Sequence, residues 1–286
     1  MVPIVTTKRG TLDIGSQRFT LGERTLLMGI VNVTPDSFSG DGRAGTEEAL
    51  ARALEQAAAG ADILDIGGES TRPGHQSITP ELESERVVPV IRAVRDALPD
   101  LPISVDTYKP LVARAALAAG ADCVNSIWGL PDALLDVVLE SGAAAVAMHN
   151  RHAIAAGAIV PELIEALRGE AERAISRGLP RSRLVLDPGI GFGKTPDQNI
   201  DLLASLDRLV ALGFPTLLGT SRKSTIGALT GRSAPEERVF GTAASTALAV
   251  AAGIDIVRVH DVAAMRDVLA VADAIVREWR PAGWTK

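Results

Sequence analysis

One rhythm constrains this chain more than any other feature. From Leu26 onward a short apolar run ends in a polar or Gly-rich stretch, an Ala-rich amphipathic segment follows, and the pattern recurs. The apolar runs are Leu26–Val33, Asp62–Ile66, Pro102–Val105, Asp122–Ile127, Ala144–Met148, Arg183–Leu186, Pro215–Leu218 and Ile254–Val259. Their lengths suit strands rather than helices. Between them Thr46–Ala59, Pro80–Ala97, Pro110–Ala119, Ala133–Ser141, Glu162–Arg177, Pro196–Leu212, Pro235–Ala252 and Ala263–Glu278 are long enough for helices. Thr79-Pro80, Thr195-Pro196 and Ala234-Pro235 mark starts, and Gly60, Gly120, Gly178, Gly213 and Gly253 mark ends.

Strand–helix units in this number, in one unbroken series, predict an α/β fold, a single (β/α)8 TIM barrel. An open doubly wound sheet has fewer units and a break between its halves. Hydrophobic residues make up 47% of the chain but aromatics only 3%, so the core is aliphatic, as buried parallel strands require. No Pro/Gly/Ser-rich linker divides residues 1–286, which read as one domain. Thr11–Arg24 reads as a hairpin turning near Gly15-Ser16, an extension over residues 1–25 that plugs the N-terminal mouth of the barrel. Residues 279–286 read as a tail.

The net charge of -6 argues against a broad nucleic-acid or membrane-binding face. The single cysteine, Cys123, forbids an internal disulfide and fits a reducing compartment. Met1–Thr20 contains no long apolar run, so no signal peptide is expected, nor does any segment reach the length of a membrane span. A cytoplasmic protein is the expectation.

In such barrels chemistry belongs to the C-terminal ends of the strands. The runs end in turn at Asn32, at GGESTRPG (67–74), at Asp106, at Asn125-Ser126, at Met148-His149-Asn150-Arg151, at Asp187 with PGIGFGK after it, at GTSRKS (219–224), and at Arg258, His260 and Asp261. Two chemistries separate. Asp106, Asn125 and Asp187 close apolar runs, and buried carboxylates need donors; a planar heterocycle with amino and ring N–H groups supplies them. Arg72, Arg222, Lys223, Arg258 and His260, with Thr71, Ser221 and Ser224, suit a phosphorylated ligand. Asn32 adds a neutral oxygen suited to Mg²⁺ on a diphosphate.

Plainer readings stand beside these. PGIGFGKT looks like a phosphate-binding loop, but Pro188 occupies the first required glycine, so a Gly-rich turn is the alternative. Any one Asp at a strand end is equally a helix cap, Asp106 above all because Lys109-Pro110 follow. Asp187 before Pro-Gly is equally a turn former. Arg72 is equally a solvated loop charge, and Arg222 a structural partner for a carboxylate, which favours Lys223 for the site. Met148 inside an apolar run reads as core more often than as a ligand platform, and Cys123 as a core residue, not a nucleophile. His149 and His152 do not read as metal ligands, and Arg43, Arg181 and Arg183 read as surface.

The strings MGIVNVTPDSFS, GGESTRPG, ISVDT, DPGIGFGKT, GTSRKSTIG and RVHDV, in that order from Met28 to Val262, resemble the signature segments of the dihydropteroate synthase family. That resemblance covers nearly the whole chain. It implies a transferase of folate biosynthesis that joins 6-hydroxymethyl-7,8-dihydropterin diphosphate to 4-aminobenzoate, with Mg²⁺ and without a covalent enzyme intermediate. By the same resemblance, Asp106, Asn125, Met148, Asp187 and Lys223 match the pterin-binding positions. Thr71, Arg72, Arg258 and His260 match the diphosphate site, and Pro73, Phe192 and Ser224 the aminobenzoate side. Asn32 matches the metal position, and Asp36 and Phe38 fall in the first closing loop. Lys223, Asp106, Asp187 and Arg258 are the implied catalytic set, in a homodimer sensitive to sulfonamides.

Departures from the family pattern are Ser126, where Asp is common after Asn125, the order SFSGDG in the first loop, and a short segment after Met148. They admit a divergent paralogue that binds pterin with little or no synthesis. A methyltetrahydrofolate-type methyltransferase would share the Asp/Asn pocket but has no need of Arg72, Arg258 and His260.

Overall fold

The computed structural model describes residues 9–34, 42–70, 77–151 and 157–284. Eight parallel strands follow one another around a barrel: β3 (Leu26–Asn32), β4 (Ile63–Gly67), β5 (Ile103–Asp106), β6 (Cys123–Ser126), β7 (Ala144–Met148), β8 (Leu184–Asp187), β9 (Leu217–Leu218) and β10 (Ile256–Val259). β10 pairs with both β3 and β9, and a bridge between Leu186 and Thr216 brings β8 to β9, which closes the ring. The TIM barrel expected from the rhythm is the fold. Preceding it, β1 (Thr11–Ile14) and β2 (Gln17–Thr20) form a separate antiparallel hairpin.

The helices between strands are α1 (Gly42–Ala58), α2 (Pro80–Ala97), α3 (Pro110–Ala118), α4 (Asp132–Ser141), α5 (Ile159–Ser176), α6 (Pro196–Leu203), α7 (Leu206–Val210), α8 (Ser224–Thr230), α9 (Val239–Ala252) and α10 (Val262–Val276). Local chemistry accounts for the starts of α2 and α6. Thr79 caps α2 by accepting from the Leu82 N–H, and Thr195 and Gln198 form a reciprocal capping box on α6. Three expected boundaries differ. The segment Pro196–Leu212 is two helices, because Ser205 leaves helical geometry at φ -124°. Pro235–Arg238 is a separate 3-10 turn ahead of α9. Helix α8 is outside the series of helices read from the rhythm, although Ser221–Ser224 also reads as a helix start, and α8 begins at Ser224; Gly227 weakens its helical signal, and a Cβ there would meet the Arg232 carbonyl at 2.7 Å.

Alternation along each strand sorts the core into two layers. Leu64, Ile66, Val105, Val124 and Leu186 face outward against the helices. Met28, Ile63, Cys123, Val146, Val185 and Ile256 face inward, and hairpin residues Leu12, Ile14 and Leu21 pack onto that inner ring from below. The hairpin therefore fills the N-terminal end of the barrel with apolar side chains, and ligand access is confined to the other end. Burial raises the pKa of the Cys123 thiol, as befits a core residue.

Three strands begin with the same device. Gly60-Ala61-Asp62, Gly120-Ala121-Asp122 and Gly253-Ile254-Asp255 each end a helix and open a strand. The Gly takes a left-handed φ, and the next N–H bonds back to a helix carbonyl (Gln56, Ala116 and Ala249). Each Asp then accepts a backbone N–H from a neighbouring strand segment: Leu27 for Asp62, Ile103 for Asp122, Thr216 for Asp255. Each also pairs with an arginine, Arg24, Arg95 and Arg9 respectively. These carboxylates hold strand register at the closed end and take no part in the site.

Truncating the plug tests its weight. Leu12 is fully buried, and Leu12→Ala is expected to lower the unfolding free energy by about 2–5 kcal/mol. Chemical denaturation measures this; a loss within error would mean that the hairpin is not part of the core.

Candidate active site

The inward face that carries apolar residues low in the barrel carries polar ones above. Two residues beyond Ile63 comes Asp65; two beyond Cys123 comes Asn125; two beyond Val185 comes Asp187; two beyond Ile256 comes Arg258. Asn32, Gly67, Asp106 and Asn125 are register partners on four consecutive strands, and Met148 partners Asp187. The period of the strand thus gathers residues distant in sequence onto one rim.

Asn32, Asp106, Asn125, Met148, Asp187 and Arg258 line a cavity of about 400 Å³, a size that suits a small-molecule site. Phe192, Lys223, Ser224 and His260 are in the same lining. Every expected site residue that the structure describes is therefore in this one cavity. Asp36, Phe38, Thr71, Arg72, Pro73 and His152 lie outside the described residues.

The two chemistries separated in the sequence meet in space. Arg258 Nη2 donates to Asp106 Oδ2 at 2.7 Å and its Nε to Asp65 Oδ2 at 2.5 Å. Asp65 Oδ2 also accepts from Asn125 Nδ2 at 3.0 Å. Burial works against the Arg258 charge, but the two carboxylates outweigh it and hold its pKa above the usual guanidinium value. Burial pushes Asp106 up to about 7, against the pull of Arg258. Asp187 rises to about 6, again by burial, opposed by the Gly189 N–H bonded to its Oδ1 at 2.7 Å. The cavity thus holds carboxylates that lack enough N–H donors, which is the complement of a donor-rich heterocycle.

The cations answer a second demand. Lys223 is pushed down to about 8 by burial and by Arg258, with Asp187 and Asp106 opposing. Its Nζ sits 4.1 Å from the centre of the Phe192 ring, within cation–π range. Arg222 also lines the cavity but forms a bidentate pair with Asp261, Nε to Oδ2 at 3.0 Å and Nη2 to Oδ1 at 2.5 Å. That pair holds Arg222 at φ 59°, a left-handed conformation unusual for a side-chain-bearing residue. His260 falls to about 3 through burial and the nearby Arg258, so it is a neutral imidazole, bonded through Nδ1 to the Ser221 hydroxyl at 3.0 Å.

Several plainer readings are corrected. Asp106 is not a helix cap: the residue at the start of α3 is Lys109, which makes no side-chain cap, and Asp106 is bonded to Arg258 instead. Ser126 is fully buried with its hydroxyl accepting from the Trp128 N–H, and it is absent from the cavity wall. The next strand position after Asn125 faces the opposite side. Asp65 and Glu69 belong to the site region and were not among the expected residues. Glu69 lines the cavity; Asp65 lies beneath it, fully buried. Asp65 sits in the middle of an apolar run rather than at its end, and its signal was the two-residue spacing from Gly67.

The raised carboxylates set a pH test. Asp187 titrates at about 6 when folded against an ordinary 3.8. Between those values the folded chain retains a proton that the unfolded chain has lost, so this group makes stability fall as pH rises through that window. Asp187→Asn is expected to melt higher than the parent above pH 7 and to lose that advantage below pH 4. Equal melting shifts at both pH values would show that the carboxylate is not desolvated.

Comparison with known proteins agrees with this geometry. Residues 28–260 match the family model described as pterin binding enzyme. A dihydropteroate synthase of Synechocystis sp. is 44% identical over 279 residues, covering 94% of this chain and 95% of that protein. The structure of Xanthomonas albilineans dihydropteroate synthase with 4-aminobenzoic acid superimposes with TM-score 0.88 at 46% identity, covering 93% of this chain and 97% of that one. The same organism's enzyme in complex with 7,8-dihydropteroate gives TM-score 0.85 at 44% identity, covering 93% and 98%. From Met28 to His260 and over nearly the whole barrel, this chain belongs to the dihydropteroate synthase family of pterin-binding enzymes.

Proposed function

We propose that this chain is a transferase of folate biosynthesis that condenses 6-hydroxymethyl-7,8-dihydropterin diphosphate with 4-aminobenzoate, giving 7,8-dihydropteroate and diphosphate. The observation that carries this is the donor-poor carboxylate pair Asp106 and Asp187, flanked by Asn125 and faced by Lys223 over Phe192, in one cavity. The relatives solved with 4-aminobenzoic acid and with 7,8-dihydropteroate support it.

The side chains suit a reaction in which the methylene–oxygen bond to diphosphate breaks before the amine nitrogen bonds to the methylene carbon and releases a proton. Asp106 and Asp187 accept from the pterin N–H groups, with Met148 against the ring. This pairing relieves the desolvated carboxylates and is strongest as positive charge develops on the heterocycle. Arg258, the neutral His260, Thr71 and Arg72 hold the departing diphosphate. Phe192 and Ser224 place the aromatic amine; Pro73, Asp36 and Phe38, assigned to this side and to the first loop by the family resemblance, lie outside the described residues. Lys223 stands between the two halves. No activated nucleophile is needed, because the heterocycle itself stabilises the cation.

Among the described residues no group of three or more His, Cys, Asp or Glu is arranged for a metal. Asn32 brings one neutral oxygen to the cavity wall. This fits Mg²⁺ held chiefly by diphosphate oxygens and water, with Asn32 as a protein ligand. When bound, Mg²⁺ neutralises charge on the leaving diphosphate. Of the departures that admit a paralogue without synthase activity, Ser126 is not in the cavity wall.

We also infer a homodimer. Helices α9 and α10 pack on each other and leave Phe240, Leu248, Val271 and Ile275 exposed at 88%, 68%, 62% and 70%. Apolar side chains that open to solvent on neighbouring helices mark an interaction face. The single buried cysteine suits the reducing cytoplasm.

Two measurements test these statements. Purified protein with both substrates and Mg²⁺ is expected to form dihydropteroate, and Lys223→Ala to lower kcat/KM by about a hundredfold or more. Binding of both substrates without product would favour the non-catalytic paralogue. Leu248→Glu is expected to turn a dimer into a monomer in sedimentation; an unchanged mass would place the interface elsewhere.

A further inference from the structure

Lys194 follows the Gly-rich turn after β8 and is almost fully buried. Its ammonium meets no carboxylate among the described residues. It donates instead to three main-chain carbonyls: His149 O at 3.0 Å, Gly189 O at 2.8 Å and Phe192 O at 2.9 Å. Three N–H groups thus meet three acceptors, one each, which a neutral amine cannot do. Burial, helped by Arg151 and Lys223, lowers its pKa to about 7, and Asp187 opposes this. The three carbonyls favour the charged form in the same direction as Asp187.

The carbonyls belong to two segments. His149 ends the β7 side, while Gly189 and Phe192 lie in the turn after β8. The two backbones approach so closely that a Cβ on Gly189 would stand 2.1 Å from the His149 carbonyl oxygen. A His149 N–H to Asp187 carbonyl bond already joins the two segments, and Lys194 adds a bridge from its ammonium to carbonyls on both. The far side of the same turn carries Phe192, whose ring underlies the Lys223 ammonium. Asn199 fixes the turn from α6 by accepting the Gly191 N–H at 2.8 Å, so Phe192 is held from both ends.

We propose that Lys194 is a positioning residue for the aromatic-amine half of the cavity: its three hydrogen bonds lock the turn after β8 onto the end of β7 and set the Phe192 ring under Lys223. This rests on the function proposed above. It assigns Lys194 to the amine substrate rather than to phosphate, although the preceding Gly-rich string resembles a phosphate loop. Asp187, at the end of the strand, accepts from the Gly189 N–H and makes no hydrogen bond to Lys194, so removing the Lys194 donors leaves the hydrogen bond of the pterin-side carboxylate in place.

The test uses Lys194→Met, which keeps the chain length and removes all three donors, and Lys194→Gln, which keeps two. In Lys194→Met the KM for 4-aminobenzoate is expected to rise about tenfold or more, with the KM for the pterin diphosphate within about twofold; Lys194→Gln is expected to fall between. An independent readout uses ¹³C-lysine labelling. The chain has five lysines, Lys8, Lys109, Lys194, Lys223 and Lys286, so the spectrum is sparse. Lys194→Met is expected to remove one ε-CH₂ signal and shift that of Lys223 away from the ring-shielded position, and Phe192→Leu is expected to shift the Lys223 signal in the same direction. Equal changes in both KM values, or a Lys223 signal that stays in place, would overturn the proposal. If the parent protein makes no dihydropteroate, the functional assignment fails, and the labelled spectra still decide whether Lys194 places Phe192 against Lys223. If Lys194→Met does not fold, Lys194→Gln decides both readouts.

Discussion

The guanidinium of Arg258 between Asp65 and Asp106 is the interaction on which the open end of the barrel depends. Two carboxylates inside a small barrel cost several kcal/mol each unless they are paired and hydrogen-bonded. Arg258 reaches both from β10, and Asn125 reaches Asp65 from β6, so four strands converge on one planar fork. The same charge governs its neighbours. It helps hold His260 neutral and Lys223 below its ordinary value, and it opposes the rise of Asp106. Burial and this one guanidinium together set the protonation of the cavity wall, while the hairpin beneath closes the barrel and keeps that network from water below.

Aspartates at the two ends of the strands have opposite work. Asp62, Asp122 and Asp255 open strands, accept backbone N–H groups and pair with arginines. Asp106 and Asp187 close strands, with burial raising both. The first kind is satisfied by the fold and stabilises it; the second is left short of donors and awaits a ligand. Position along the strand separates structure from function here, as the barrel architecture requires.

Much of this was legible in the sequence. The strand–helix rhythm predicted the barrel, and the polar residues ending each run predicted one wall of the cavity. What escaped lay where one local signal masked another. Asp65 sits inside an apolar run, and attention to run ends passes over it, although the alternation from Ile63 to Gly67 points it inward. The helix α8 contains Gly227, whose propensity is poor and whose place is set by a tertiary contact with Arg232. The hydrogen bond from Arg258 to Asp106 joins β10 to β5, and no pattern along the chain records a contact across a barrel.

Lysine use completes the logic. The chain has five lysines beside many arginines, and the three that the structure describes all stand near the open end. Lys109 donates to Glu69 Oε2, Glu83 Oε2 and the Ile78 carbonyl, and Lys194 donates to three carbonyls. In each case acceptors converge on one point, a geometry that suits a tetrahedral ammonium and not a planar guanidinium. Lys223 has the same group but no hydrogen-bond acceptor among the described residues; only the Phe192 ring and the more distant Asp106 and Asp187 balance it. Two ammonium groups hold the frame and the third has unfilled donors. Lys223 is half-buried and lines the cavity, so its N–H groups are available to a ligand, and the lysine with the fewest protein partners is the one closest to the chemistry.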